Sequence, residues 1–162
     1  MSLTILETIA VALFDRLEAM VDSDDYNTEV SSVIRPARNG GEFNIEHLQI
    51  VVRQAGDEII DELSYPGNPP AIAHKQTFNL RCHVLLSERN TDSVESTINT
   101  FQADVIKCLT TGNEWYQFGG SCIDATIGAV EPINEDGGID GFNLPVYITY
   151  RVDENNPYNA RS

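Results

Sequence analysis

The sequence predicts an α+β domain: a mainly antiparallel or mixed sheet of about five strands with two helices packed on one face. Two observations carry this. Two long segments repeat apolar residues every three and four positions, as helices with one buried face do. Several others alternate apolar and polar residues, as strands with one buried face do. Sheets of that kind take their helices on the apolar side. With 162 residues the chain fits one domain with a sizeable core.

The first helix is expected over Thr4–Val21, with Thr4 and Glu7 as a capping box and Ile5, Leu6, Ile9, Leu13, Phe14, Leu17, Met20 and Val21 on its apolar stripe. "EVSSVIRP" is a strand stopped by Pro36, and "ARNGGEFN" a turn or hairpin loop, because Asn-Gly-Gly tolerates positive φ. "EHLQIVVRQAG" is the second strand, with Leu48, Ile50 and Val52 facing one way and Gln49, Val51 and Arg53 the other. Residues 56–74 read as a long loop of the kind used in binding or assembly; "DEIIDEL" fits a strand end or a short helical turn, and "YPGNPP" fits neither.

"KQTFNLRCHVLLSE" is the clearest strand, with Phe78, Leu80, Cys82, Val84 and Leu86 on its buried face. A second helix is expected over Asp92–Thr110, with Asp92 and Glu95 as a capping box and Gly112 as the stop. "IDATIGAVEPI" reads as one strand with Ile123, Ala125, Ile127 and Ala129 on one side. "NEDGGIDG" reads as a tight acidic loop. "FNLPVYITYRV" closes the sheet with Phe142, Leu144, Val146, Ile148 and Tyr150 toward the core. Pro145 has no N–H, which puts this strand at an edge or gives it an edge there. The domain is bounded at 1–152. Residues 153–162, "DENNPYNARS", hold no hydrophobic run and read as an extended C-terminal arm.

Composition excludes several functions. A net charge of −15 and no cluster of basic residues argue against a nucleic-acid-binding surface, although such a surface suits a channel that DNA slides past. No apolar run reaches the length of a membrane span, and the apolar N-terminus lacks a basic leader, so it reads as a helix rather than a signal peptide. Cys82, Cys108 and Cys122 are widely spaced with no C-x-x-C, which favours reduced thiols.

Catalytic motifs fail one by one. His47, His74 and His83 make no H-x-x-x-H pair. "DSDDYNTEVSSV" lacks the glycine and the final glutamate of a calcium loop, having Asn27 and Val33 instead. "GGSCI" lacks the last glycine of a nucleophile elbow, having Ile123. No residues are assigned to catalysis, cofactor or metal. A small hydrolase using Cys122, His83 or the carboxylates is the remaining enzymatic alternative. Trp115, Tyr116 and Phe118 form an aromatic group that either plugs the end of the second helix or anchors a subunit interface.

The series "ALFDRLEAM", "VIRP", "FQADVIKCLT", "EWYQFGGSCIDATIGAVEPI" and "GFNLPVYITYRVDENNPYNAR" resembles the tail terminator proteins (tail completion, neck-associated) of long-tailed phages. The resemblance covers most of the chain and is weakest over residues 56–74. It implies a small α+β subunit in a closed homo-oligomeric ring, usually a hexamer, in the virion, assembled in the host cytoplasm. The ring would sit on the last ring of the tail tube, stop its polymerisation and meet the head-side connector, with DNA passing through the lumen unbound. Six copies would carry about −90 in charge, which would repel the DNA backbone. Another neck, connector or tail-tube subunit is the nearest alternative. In such a ring the interface residues expected are Trp115, Tyr116 and Phe118 with Arg151, Pro157, Tyr158 and Arg161, since Arg and aromatic side chains dominate interfaces.

Overall fold

The computed structural model describes residues 2–36, 43–85, 93–112, 122–135 and 138–161. The elements are α1 (Ile5–Glu18), β1 (Ser32–Ile34), β2 (Gln49–Ile59), a 3-10 turn (Asp61–Leu63), β3 (Ala71–Leu85), α2 (Val94–Thr110), β4 (Cys122–Ile127), β5 (Glu131–Glu135), β6 (Ile139–Asp153) and β7 (Asn156–Ala160). They form one mixed sheet in the order β1-β2-β3-β6-β4, with β5 and β7 also paired to β6. The fold is α+β as expected, with seven strands rather than about five because two regions divide into short pieces.

Both helices form in the expected regions, but α1 ends at Glu18, short of the expected Val21, which instead makes a β-bridge to Val30. Thr4 caps α1, its Oγ1 accepting from Glu7 N at 3.1 Å. The Glu7 carboxylate does not complete a capping box; it takes both guanidinium nitrogens of Arg35, at 2.7 and 2.9 Å. In α2 the cap is Ser93 and not Asp92: Ser93 Oγ accepts from Ser96 N at 3.1 Å, and the helix begins at Val94. Both are good cap residues one position apart, and Asp92 lies outside the described residues. Gly112 ends the helix at φ +86, the left-handed geometry that glycine adopts without strain.

Both helices lie on one face of the sheet. Ile9, Leu13, Leu17 and Met20 from the α1 region meet Ile50, Val52, Phe78, Leu80 and Leu144, all fully or almost fully buried. Phe101 of α2 meets Phe142 of β6 edge-on, with ring centroids 5.5 Å apart. Polar ties fix the helix layer. Buried Asp104 accepts the Thr28 N–H through Oδ2 at 2.7 Å, and Arg16 of α1 donates from Nε to the Cys108 carbonyl at 2.9 Å and from Nη2 to that of Thr111. Carbonyls at the α2 end are thereby satisfied by a cation, which also suits the helix dipole.

Four expectations change in the sheet. β1 pairs with β2 in parallel, Ser32 with Gln49 and Ile34 with Val51, so "ARNGGEFN" is no hairpin. The fourteen residues between the two strands are enough for a parallel crossover; residues 37–42 of that connection lie outside the described residues. Loop 56–74 is much shorter than expected. β2 runs on to Ile59, the 3-10 turn follows, and Tyr65 and Ala71 exchange backbone bonds at 3.0 Å before β3 begins. "DEIIDEL" is therefore a strand end and then a helical turn.

Pro145 is not on an edge strand; of the two placements expected, the strand has a local edge there. β6 pairs with β3 along its whole length, Leu85 with Ile139 through Ala71 with Asp153, and carries β5, β4 and β7 end to end on its other side. The Pro145 carbonyl accepts from Gly128 N at 2.9 Å. The imide nitrogen of the same residue therefore faces the break between β4 and β5, where no ladder bond is lost. That break divides "IDATIGAVEPI" in two. It leaves Ala129 exposed, and a register shift between Cys122 and Asp124 turns Ile123 outward; Ala125 alone of that set is buried. Leu48, at φ +56, precedes β2 and packs against the core's margin.

Gly141 marks the closest approach within the sheet. A Cβ there would lie 1.9 Å from the Cys82 carbonyl oxygen, and its φ is +133. Glycine is required at this position by both space and backbone.

Candidate subunit interface

The C-terminal residues do not project as a free arm. After a turn at Glu154 and Asn155 the chain reverses into β7, which pairs Val152 with Ala160 and Asp153 with Asn156. Asp153 holds this return: its carboxylate accepts from Asn159 Nδ2 and from Arg161 Nη1, the latter at 2.6 Å. Those two bonds, Asn159 first, lower the Asp153 pKa below the ordinary aspartate value. All five residues of β7 are exposed.

This return brings the tail to the loop before β3. The Arg151 guanidinium lies 5.4 Å from the centre of the Tyr65 ring and that of Arg161 5.7 Å. Cations within about 6 Å of a ring face are attracted by its quadrupole. Arg151 also donates from Nε to the Leu63 carbonyl at 2.6 Å. Leu63, Tyr65 and Tyr158 are among the exposed large hydrophobic side chains. Of the residues expected at an interface, Arg151, Pro157, Tyr158 and Arg161 therefore share one end of the sheet. Trp115, Tyr116 and Phe118 lie outside the described residues. Tyr65, inside the binding or assembly loop expected over residues 56–74, is the ring on which the two arginines converge; in the sequence only its neighbour Pro66 and the loop's length point to it.

The sheet face away from the helices is polar and ordered. His83, 1% exposed, presents Nδ1 to Gln49 Oε1 at 3.1 Å and takes Arg81 Nε at Nε2 at 3.0 Å. Gln49 Nε2 donates in turn to Ser32 Oγ at 3.3 Å and to the Asn44 carbonyl at 3.1 Å. Burial, then the Arg81 charge, lower the His83 pKa. Lys75 stands 4.8 Å from the Tyr147 ring centre, and Arg53 5.9 Å from that of Phe43.

The residues of the enzymatic alternative are arranged against reactivity. Burial and then Asp124 push the Cys122 thiol up to about 12, whereas a nucleophilic thiol needs a lowered value. His83 has both ring nitrogens engaged. His74 stacks on Tyr150 at 5.2 Å and bonds Asp57 at 3.1 Å. Among the described residues, no group of three or more His, Cys, Asp or Glu side chains could hold a metal ion, and no helix is long and apolar enough to cross a membrane. No protein-family model matches the chain, and no curated protein matches it.

Proposed function

We propose that the chain is a structural virion subunit of the tail-terminator type. In this reading it forms a closed ring, hexameric as the resemblance implies, at the head-proximal end of a phage tail tube. There it ends tube growth and joins the tube to the connector. The observation that supports the reading best is the convergence of Arg151 and Arg161 on Tyr65. The two segments with assembly-like sequences, the loop before β3 and the C-terminal residues, share one exposed surface there. Its side chains, Arg and Tyr, are those that dominate interfaces. Copies in a closed ring meet through two different surfaces, and the net charge of −15 suits a lumen that DNA crosses without being gripped.

Electron microscopy of the purified protein, alone and with tail tubes, tests this. Short rings of one diameter, or caps on tube ends, are expected. Long cylinders would identify a tube subunit instead, and a protein that stays monomeric in both samples would overturn the reading.

A further inference from the structure

Charge is divided unevenly between the two sides of this molecule. On the face away from the helices lies a trough of about 510 Å³. Arg53 and Arg81 line it, with Asn79 and Asn143 between them and Phe43 on one wall. Arg53 rests on the Phe43 ring and forms no ion pair among the described residues. A guanidinium that forms no ion pair keeps its N–H groups for an acceptor. Arg81 is held in place from below by His83 Nε2 and reaches the exposed Glu135 through Nη2. The trough thus offers one guanidinium without an ion pair, Arg53, beside a second, Arg81, that is already paired with Glu135; an unpaired guanidinium is a donor that recognises carboxylates.

The helix side carries the complement. Asp22, Asp24, Asp25 and Glu29 are all exposed on the connection between α1 and β1. This connection is fixed from both ends of its middle: Asp104 holds the Thr28 N–H, and Lys107 Nζ donates to the Asp25 carbonyl at 2.7 Å. Among the described residues, none of these four carboxylates forms an ion pair. Because the connection is tied to α2, on the opposite side of the sheet from the trough, no chain can fill its own trough with it.

We infer that the trough of one copy takes the acidic segment 22–25 of the next copy. The contact joins unlike surfaces, so repetition runs head to tail and closes into a ring when the rotation permits. The segment is already ordered, which reduces the entropic cost of docking. This inference rests on the ring reading and names one pair of surfaces that would meet, in addition to the end of the sheet at Tyr65.

Charge reversal tests it. Arg53→Glu makes the trough acidic, and the pair Asp24→Lys with Asp25→Lys makes the segment basic. Each variant alone opposes like charges, and each should associate about tenfold or more weakly than wild type in sedimentation at near-physiological ionic strength. Mixed in equal amounts, the two variants restore both complementary contacts, so assembly should return with alternating copies. Arg53→Gln serves if Arg53→Glu fails to fold, with melting curves as the control. Wild-type rings left intact in every variant would overturn this contact and leave the ring reading standing. A wild type that never associates would overturn both. Capture of a short DNA duplex, lost in Arg53→Glu and without self-association, would overturn the contact in favour of nucleic acid.

Discussion

Arg81 donates its Nε–H to His83 Nε2 at 3.0 Å, and this one bond fixes the protonation of a buried histidine. An arginine Nε is only a donor, so Nε2 must be the accepting nitrogen and the ring proton sits on Nδ1, facing Gln49 Oε1. Adding a proton would set an N–H against an N–H beside a guanidinium. The groups facing the ring are Arg81, Gln49 and, beyond Arg81, Glu135; Glu135 alone favours the charged form. The folded pKa is lowered from 6.5, so the unfolded chain binds more protons as pH falls below that value. Stability should be fully present above about 6.5 and lost as pH falls through the folded value. The melting temperature of wild type should drop over this window more steeply than that of His83→Gln; equal slopes would show that His83 does not titrate in the fold.

Asp104 is the second buried polar group whose removal has a defined cost. Its Oδ2 is the acceptor for Thr28 N, and both residues are almost wholly buried. Asp104→Ala should cost about 1–3 kcal/mol, the penalty of an unmet buried donor. Asp104→Asn keeps a carbonyl oxygen for the same N–H and should recover part of that loss. Urea unfolding of the two variants measures the difference; equal losses would mean that the bond contributes nothing.

Phe101 tests the contact between the layers. It is fully buried and stands edge-on to Phe142, linking α2 to β6. Phe101→Ala should cost about 3–5 kcal/mol, from lost burial and the cavity left behind. Phe101→Leu fills most of that space and should cost clearly less. Chemical denaturation separates them, and a loss below about 1 kcal/mol for Phe101→Ala would show that the site collapses freely.

Gly141→Ala should be among the most damaging single substitutions. The new methyl would meet the Cys82 carbonyl at 1.9 Å, in a backbone conformation at φ +133 that alanine rarely adopts. Backbone strain alone costs about 1–3 kcal/mol, and separation of β3 from β6 would add to it. Failure to accumulate as soluble protein, or a large fall in melting temperature, is expected. A near-native melting temperature would contradict the register that pairs His83 with Gly141.

Much of this was legible in the sequence because burial imposes a period. Ile9, Leu13 and Leu17 on a helix, and Phe78, Leu80 and Cys82 on a strand, must recur at the spacing of one face, and they are buried as expected. Strand partners leave no such mark. Ser32–Ile34 is too short to reveal that it runs parallel to β2, and Pro145 signalled a missing ladder bond without saying which neighbour would be absent. The convergence on Tyr65 was illegible for the same reason: Tyr65, Arg151 and Arg161 meet only because β3, β6 and β7 pair in one register. Trough residues Arg53 and Arg81 read merely as the polar face of two strands, since nothing in alternation shows that they flank one concavity.

The return of β7 should be dispensable for folding and not for assembly. Its five residues are exposed, so removing residues 154–162 takes little from the core. What it removes is Arg161 from Tyr65 and from the Asp153 carboxylate, together with Tyr158. The truncated chain should melt within a few degrees of wild type yet form fewer rings by light scattering and microscopy. Acid should act on the same contact. The Asp153 pKa is lowered by Asn159 and Arg161, so its contribution is present above the ordinary value near 3.8 and is lost as pH falls through the lower folded one. Hydrogen exchange at residues 156–161 should therefore quicken as the pH falls below about 3.8, relative to other exposed strands, and this acceleration should be absent in Asp153→Asn. A large loss of melting temperature with unchanged ring size would place β7 in the fold instead of the interface.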